Sequence, residues 1–317
     1  MTLEDVPPRR TRGLPLRFPD YAAFQAYVRN HYVPLPHELS DPSAGYAPGV
    51  SWAWRGAPRF FRALRAVSGH VRDGGTLLDI GAYPGSFARL ARVGFGDGLR
   101  VLTCGMPVRG DYAASMAAEG IPFDPCNLDP DIVSPVALPV GLPYGDATID
   151  VITCMEVVEH LYSLKTLLTD IKRVLRPGGV VYITTNNVAD RDGLLRAVRD
   201  QETNLDRDLD LTSIWSGHDD QWRGHVRFYS PGQLADAGAR AGLSTVRTDY
   251  FQVYEDPDVY PRTDRGLTGA VRARLRGDGG SPPRNPRQML RAVLHLGFRA
   301  LSRRFDSHLE IVLKAPG

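Results

Sequence analysis

The chain has 317 residues, 43% hydrophobic and 23% charged, which is ample material for a large packed core. Its 38 Lys and Arg against 36 Asp and Glu leave a formal net charge of +2, so no global electrostatic case exists for a nucleic-acid partner. Cys104, Cys126 and Cys154 are an odd set with no CxxC pair, which argues against a disulfide framework and fits a reducing compartment.

The first segment, Met1 to Arg10, carries acids and prolines where a signal peptide would have an apolar core. No run of about 18 apolar residues occurs to span a membrane, and a cytoplasmic protein is expected. Tyr21 to Val28 has helical spacing of apolar residues with Asp20 placed to cap it. A proline-rich stretch with Pro34, Pro36, Pro42 and Pro48 follows, and a second helix is predicted from Pro58 to Val67. Residues 1–70 are too short for a core of their own and should pack as a helical extension on the main domain, residues 71–317.

From Thr76 onward strands and helices alternate. Strands are predicted at Thr76 to Ile80, Leu99 to Thr103, Ile149 to Thr153, Val180 to Thr184, Ser244 to Tyr250 and Leu309 to Leu313. Helices are predicted at Ser86 to Arg92, Asp111 to Glu119 and Leu161 to Leu175, the last stopped by Arg176-Pro-Gly-Gly179. Ser230-Pro-Gly-Gln233 resembles a capping box opening a helix to Ala241. The alternation predicts an α/β fold: a doubly wound, mostly parallel, seven-stranded sheet with helices on both faces. Ligands of such sheets bind outside the carboxyl ends of the strands. Insertions are expected at residues 187–229 and 255–307; within the second, Arg287 to Phe305 reads as a basic amphipathic helix that covers the domain or a homodimer interface.

Two local signals carry chemistry. In Leu77-Leu-Asp-Ile-Gly-Ala-Tyr-Pro-Gly-Ser-Phe87 a strand ends in a glycine turn and a helix follows. Its Gly81-x-x-x-Gly85 spacing is not that of a dinucleotide fold, and Pro84 removes a backbone donor that a pyrophosphate would use. Further on stand Ala147-Thr-Ile-Asp-Val-Ile-Thr-Cys-Met-Glu-Val-Val-Glu-His160 and Arg173-Val-Leu-Arg-Pro-Gly-Gly179. In this order and at these distances the motifs resemble those of the class I S-adenosylmethionine-dependent methyltransferases, over roughly Thr76 to Gly242.

The resemblance implies S-adenosylmethionine as cofactor. Gly81, Ala82, Tyr83 and Gly85 would line the turn against its methionine part, and Asp79 would hold its amino group. Asn127 and Asp129 sit where the family places side chains near the adenine ring, and Glu156 where it meets the methionyl end. His160 follows Glu156 by one expected helical turn, which would aim both at one cleft. One departure stands out: after the second strand, Val101-Leu-Thr-Cys-Gly-Met106 lacks the carboxylate that the family uses on the ribose.

A methyl acceptor with a hydroxyl benefits from a general base, and His160, His218 and His225 are the candidates. His218 and His225 lie in the polar and aromatic stretch Ser216 to Tyr229, after the fifth strand, where such enzymes build acceptor pockets. His218, Asp219 and Asp220 could ligate a divalent ion, but no second ligand set is recognisable and no metal is assigned. The expected function is methyl transfer to a small molecule, most of all to a hydroxyl of a sugar or secondary metabolite. N- or C-methylation, or a non-catalytic protein on the same fold, is the alternative.

Overall fold

The computed structural model describes residues 13–39, 49–107, 111–130, 137–190, 194, 225–252, 304 and 306–317. His218, Asp219, Asp220 and the helix expected at Arg287 to Phe305 lie outside these, as does most of both expected insertions.

Seven strands form one sheet: β1 (Gly75–Ile80), β2 (Leu99–Gly105), β3 (Phe123–Pro125), β4 (Ile149–Met155), β5 (Leu175–Asn186), β6 (Ser244–Phe251) and β7 (His308–Lys314), in the order β3-β2-β1-β4-β5-β7-β6. β1 to β5 are parallel, and β7 runs antiparallel to both neighbours. The chain steps outward from β1 to β2 and β3, then returns to lay β4 on the other side of β1. That reversal opens a crevice at the carboxyl ends of β1 and β4.

Alternate residues of each strand enter different cores. Leu78, Ile80, Ile152, Cys154, Val181 and Ile183 pack with helices α6 (Leu164–Val174) and α7 (Pro231–Arg240). Leu77, Val101, Val151, Val180 and Tyr182 pack on the opposite face. There they meet α1 (Tyr21–Asn30), α3 (Ala57–Val67), α4 (Ser86–Phe95) and α5 (Tyr112–Ala118), with the short α2 (Trp52–Arg55) alongside. Phe24 of α1 and Leu64 of α3 are fully buried in this second core. Each such burial contributes about 1.5–3 kcal/mol, so the N-terminal helices are bound into the sheet's own core.

Local chemistry explains the element ends. Asp20 Oδ1 accepts from the Ala23 N–H at 2.8 Å and caps α1. Ser230 and Gln233 form the reciprocal capping box at the start of α7, with Pro231 at its first position. α6 is shorter than its apolar stripe: Leu161 is buried but ends a preceding 3-10 turn, Val158–His160, and the helix begins only at Leu164. Arg176-Pro-Gly-Gly179 is a bulge inside β5 rather than the stop of that helix. The pairing with β4 jumps from Ile149–Leu175 to Val151–Val180, so six residues on β5 oppose three on β4.

Candidate active site

The glycine turn follows β1 at the crevice. Gly81 and Gly85 have φ of +70° and +93°, conformations that side chains rarely adopt. A Cβ on Gly81 would stand 2.3 Å from Val157 Cγ2, and one on Gly85 2.4 Å from Met116 Sδ. Gly81 therefore permits the close pass of the turn beneath the loop after β4, while Gly85 permits packing of α4 against α5. Asp79, at the end of β1, is buried and its Oδ1 accepts from Thr153 Oγ1 at 2.8 Å. Burial raises its pKa to about 7 against the opposing pull of Thr153 and Arg59. Ala82 is buried, and Tyr83 is half exposed, its ring 6.3 Å from His37 and nearly parallel to it.

The N-terminal segment roofs this turn, a role that composition and periodicity do not reveal. Glu38 is fully buried, with Oε1 accepting from Ser86 Oγ at 2.6 Å and Oε2 taking Arg89 Nη1 at 2.6 Å. Tyr32 donates to the same carboxylate. These bonds hold Pro36–Glu38 over the start of α4 and so place His37 against Tyr83.

Across the crevice, the loop after β4 carries Glu156 with φ +56°. Its Oε1 accepts from Thr184 Oγ1 at 2.8 Å, and its Oε2 lies 3.1 Å from His308 Nε2 and 3.6 Å from Arg59 Nη1. Burial would raise its pKa, but His308 and Arg59 together outweigh that and hold the carboxyl well below the usual range. Arg59 reaches in from α3, its side chain 15% exposed and its Nε buried with no hydrogen-bond partner. It flanks the apolar stripe Phe60, Ala63, Leu64 and Val67, and only the docking of α3 discloses its place in the crevice.

The 3-10 turn then sends Glu159 inward and His160 to the cleft. Glu159 is fully buried; its Oε2 accepts from Thr185 Oγ1 at 2.9 Å, and its Oε1 from Asn186 Nδ2 at 3.4 Å. Burial, reinforced by the charge of Glu156, pushes its pKa well up. The Glu159 carbonyl accepts from the N–H groups of Val226 at 2.8 Å and Arg227 at 3.2 Å, which fixes the returning chain beside the turn. His225 is thereby brought to His160, with ring centroids 4.8 Å apart, while Asn186 Nδ2 lies 3.5 Å from His225 Nδ1. Both imidazoles are half-buried. The expected helical turn joining Glu156 to His160 is absent: Glu156 turns to Arg59 and His308, and His160 turns to His225.

Asn127 and Asp129 lie beyond β3. Asn127 Oδ1 accepts from the Asp129 N–H at 3.2 Å. Asp129 is fully buried and its Oδ2 accepts from the N–H of Tyr162 and, at 3.1 Å, of Ser163. It therefore organises the entry to α6. The acids that flank α5 stand apart: Glu119, past its far end, pairs with Arg89 at 3.3 Å, and Asp111 is exposed.

The turn, the acidic loop and the strand order find their counterpart among known proteins. Residues 53–248 match the methyltransferase domain family, and the chain belongs to it. Within that family its motifs and sheet are those of the class I S-adenosylmethionine-dependent methyltransferases. A ubiquinone biosynthesis O-methyltransferase of Rhizobium rhizogenes is 32% identical over 105 residues, 29% of this chain and 42% of that protein. A Mycolicibacterium smegmatis protein, named a probable S-adenosylmethionine-dependent methyltransferase, is 29% identical over 119 residues, 36% of this chain and 45% of its own. The chain thus spans less than half the length of these curated relatives. A solved structure of Haemonchus contortus phosphoethanolamine N-methyltransferase 2 with S-adenosyl-L-methionine has a TM-score of 0.48 at 16% identity, covering 94% of this chain and 58% of that one.

Proposed function

We propose that this protein transfers the methyl group of S-adenosylmethionine to a hydroxyl of a small molecule, a sugar or secondary metabolite, in the cytoplasm. The observation that carries the acceptor assignment is the imidazole pair of His160 and His225, set beside Glu159 on the same sheet edge as the glycine turn. Imidazole is the side chain suited to relieving a hydroxyl of its proton near neutral pH.

The residues at the crevice fit the cofactor. Arg59 Nε is a buried donor without a hydrogen-bond partner, which suits the methionine carboxylate. Asp79 suits its ammonium, and Gly81, Ala82, Tyr83 and Gly85 bound the space between. Asn127 and Asp129 shape the adenine end, and Glu156 the methionyl end. Bound there, the cofactor supplies an electrophilic methyl group. The chain's own tasks are then to place the acceptor oxygen in line and to exclude water. The imidazoles of His160 and His225 loosen the hydroxyl proton, and Thr185 and Asn186 hold Glu159 in position beside them. No helix among the described residues is long and apolar enough to cross a membrane.

The test is incubation with methyl-labelled S-adenosylmethionine and a panel of hydroxylated and amine acceptors, read by mass spectrometry. One methyl on oxygen, with turnover lost in the His160→Ala, His225→Ala double variant, is the expected result. Methylation at nitrogen or carbon, or turnover that survives the double variant, would overturn the assignment.

A further inference from the structure

Glu159, His160 and His225 come together from two chain segments, and one ligand-type atom from each lies within 4.8 Å of the others. The carboxylate is fully buried, and the two imidazoles are half-buried. Glu159 and Glu156 are three residues apart, yet their surroundings differ. Glu156 is met by Arg59 and His308, whereas Glu159 takes hydrogen bonds from the neutral donors Thr185 and Asn186. A buried carboxylate faced by two imidazoles is a donor set for a cation.

We propose that Glu159, His160 and His225 bind a divalent transition-metal ion of the zinc or cobalt kind, which in turn receives the acceptor hydroxyl. Two nitrogen ligands favour such an ion over magnesium or calcium, which take oxygen. Donors about 2.0–2.2 Å from a common ion stand roughly 3.0–3.6 Å from one another, so small rotations of the two half-exposed rings close the cluster on it. Glu159 need not move, since Thr185 and Asn186 already fix it. Asn186 Nδ2 donates to Glu159 Oε1 and so acts as an outer group that holds this ligand.

Three protein ligands leave coordination positions open. An acceptor hydroxyl bound at one of them loses its proton to solvent water: the O–H bond breaks, and its electron pair stays on the oxygen held by the ion. A neighbouring second oxygen, as in a catechol or a vicinal diol, would occupy another open position. This role rests on the O-methylation reading above and puts the ion in place of the free imidazoles as the means of loosening the proton, since a ligating nitrogen has no lone pair left for it; the binding of the ion does not rest on that reading.

The test is equilibrium dialysis of chelator-treated full-length protein against Zn2+, with the metal counted per chain, and against Co2+, read by its visible absorption. One ion per chain is expected. Binding should weaken at least tenfold in His160→Ala and in His225→Ala, and about tenfold in Asn186→Ala. It should be unchanged in His31→Ala, whose residue lies at the exposed end of α1. Thermal unfolding of the metal-free variants serves as the folding control. No stoichiometric ion on the wild type, or undiminished binding by a folded His160→Ala, His225→Ala double variant, would overturn the site. Undiminished O-methylation by metal-free protein would overturn the metal's role while leaving the acceptor reading intact. A bound ion with methylation only at nitrogen would overturn the acceptor reading and the metal's role in it, while leaving the ion site intact.

Discussion

Two glutamates, Glu310 and Glu159, are equally buried and differently employed. Glu310, in the middle of β7, accepts from Arg62 Nε at 2.9 Å, Arg247 Nη2 at 2.6 Å and Tyr182 OH at 2.7 Å. Two permanent cations and a phenol meet its charge, and it ties α3 to strands β5, β6 and β7. Glu159 instead stands beside two imidazoles and two neutral donors. The difference teaches where to look for chemistry: a buried charge met by guanidinium groups is a fastening, and one set among groups that can change protonation or take a metal is a site.

Substitutions can break that comparison. The largest effect is expected at the fastening: Glu310→Ala should cost about 3 kcal/mol in chemical denaturation, because it leaves the buried Tyr182 hydroxyl without its acceptor and Arg62 with Asp249 alone. The surviving folded fraction should keep its cofactor affinity. His225→Ala should do the opposite, lowering turnover by about a hundredfold or more with little change in the denaturation midpoint. Arg59→Ala should weaken S-adenosylhomocysteine binding at least tenfold, as the loss of a charge-assisted pair implies, and Arg59→Lys should restore part of it.

The smallest effect is a pH dependence. With Asp79 at about 7, its ionised fraction rises roughly tenfold between pH 6 and 8, and cofactor affinity should rise with it. Asp79→Asn should flatten that profile. The sign for stability is the reverse. The folded chain holds this proton between about pH 4 and 7 while the unfolded chain releases it, so stability falls as pH rises through that window and levels off above it. Denaturation midpoints at pH 5 and pH 8 check the direction.

Much of the fold is legible in the residues. Apolar runs announce five of the strands, β-formers in a polar stretch announce β6, and alternation divides Leu77 from Leu78 and Val151 from Ile152 between the two faces. β3 is missed because three residues ending in Pro125 carry no periodicity. The Arg-Pro-Gly-Gly bulge is misread as a helix stop because the same residues serve both purposes, and only the pairing register with β4 separates them.

The site divides in the same way. The glycine turn, Asp79 and Glu156 belong to contiguous motifs. The meeting of His160 with His225 depends on backbone bonds from Val226 and Arg227 to Glu159, and no local pattern encodes it. Arg59 and the Glu38 clamp depend on how α3 and the proline-rich segment dock. Gly85 is a further lesson: a bulky residue there would collide with Met116, so its effect on cofactor binding would not isolate the turn from the packing of α5.

The most direct test of the account is calorimetric titration of S-adenosylhomocysteine into the wild type, Arg59→Ala and His225→Ala. Micromolar binding is expected for the wild type and His225→Ala, and binding at least tenfold weaker for Arg59→Ala. No binding to the wild type, or equal affinity in all three, would contradict it.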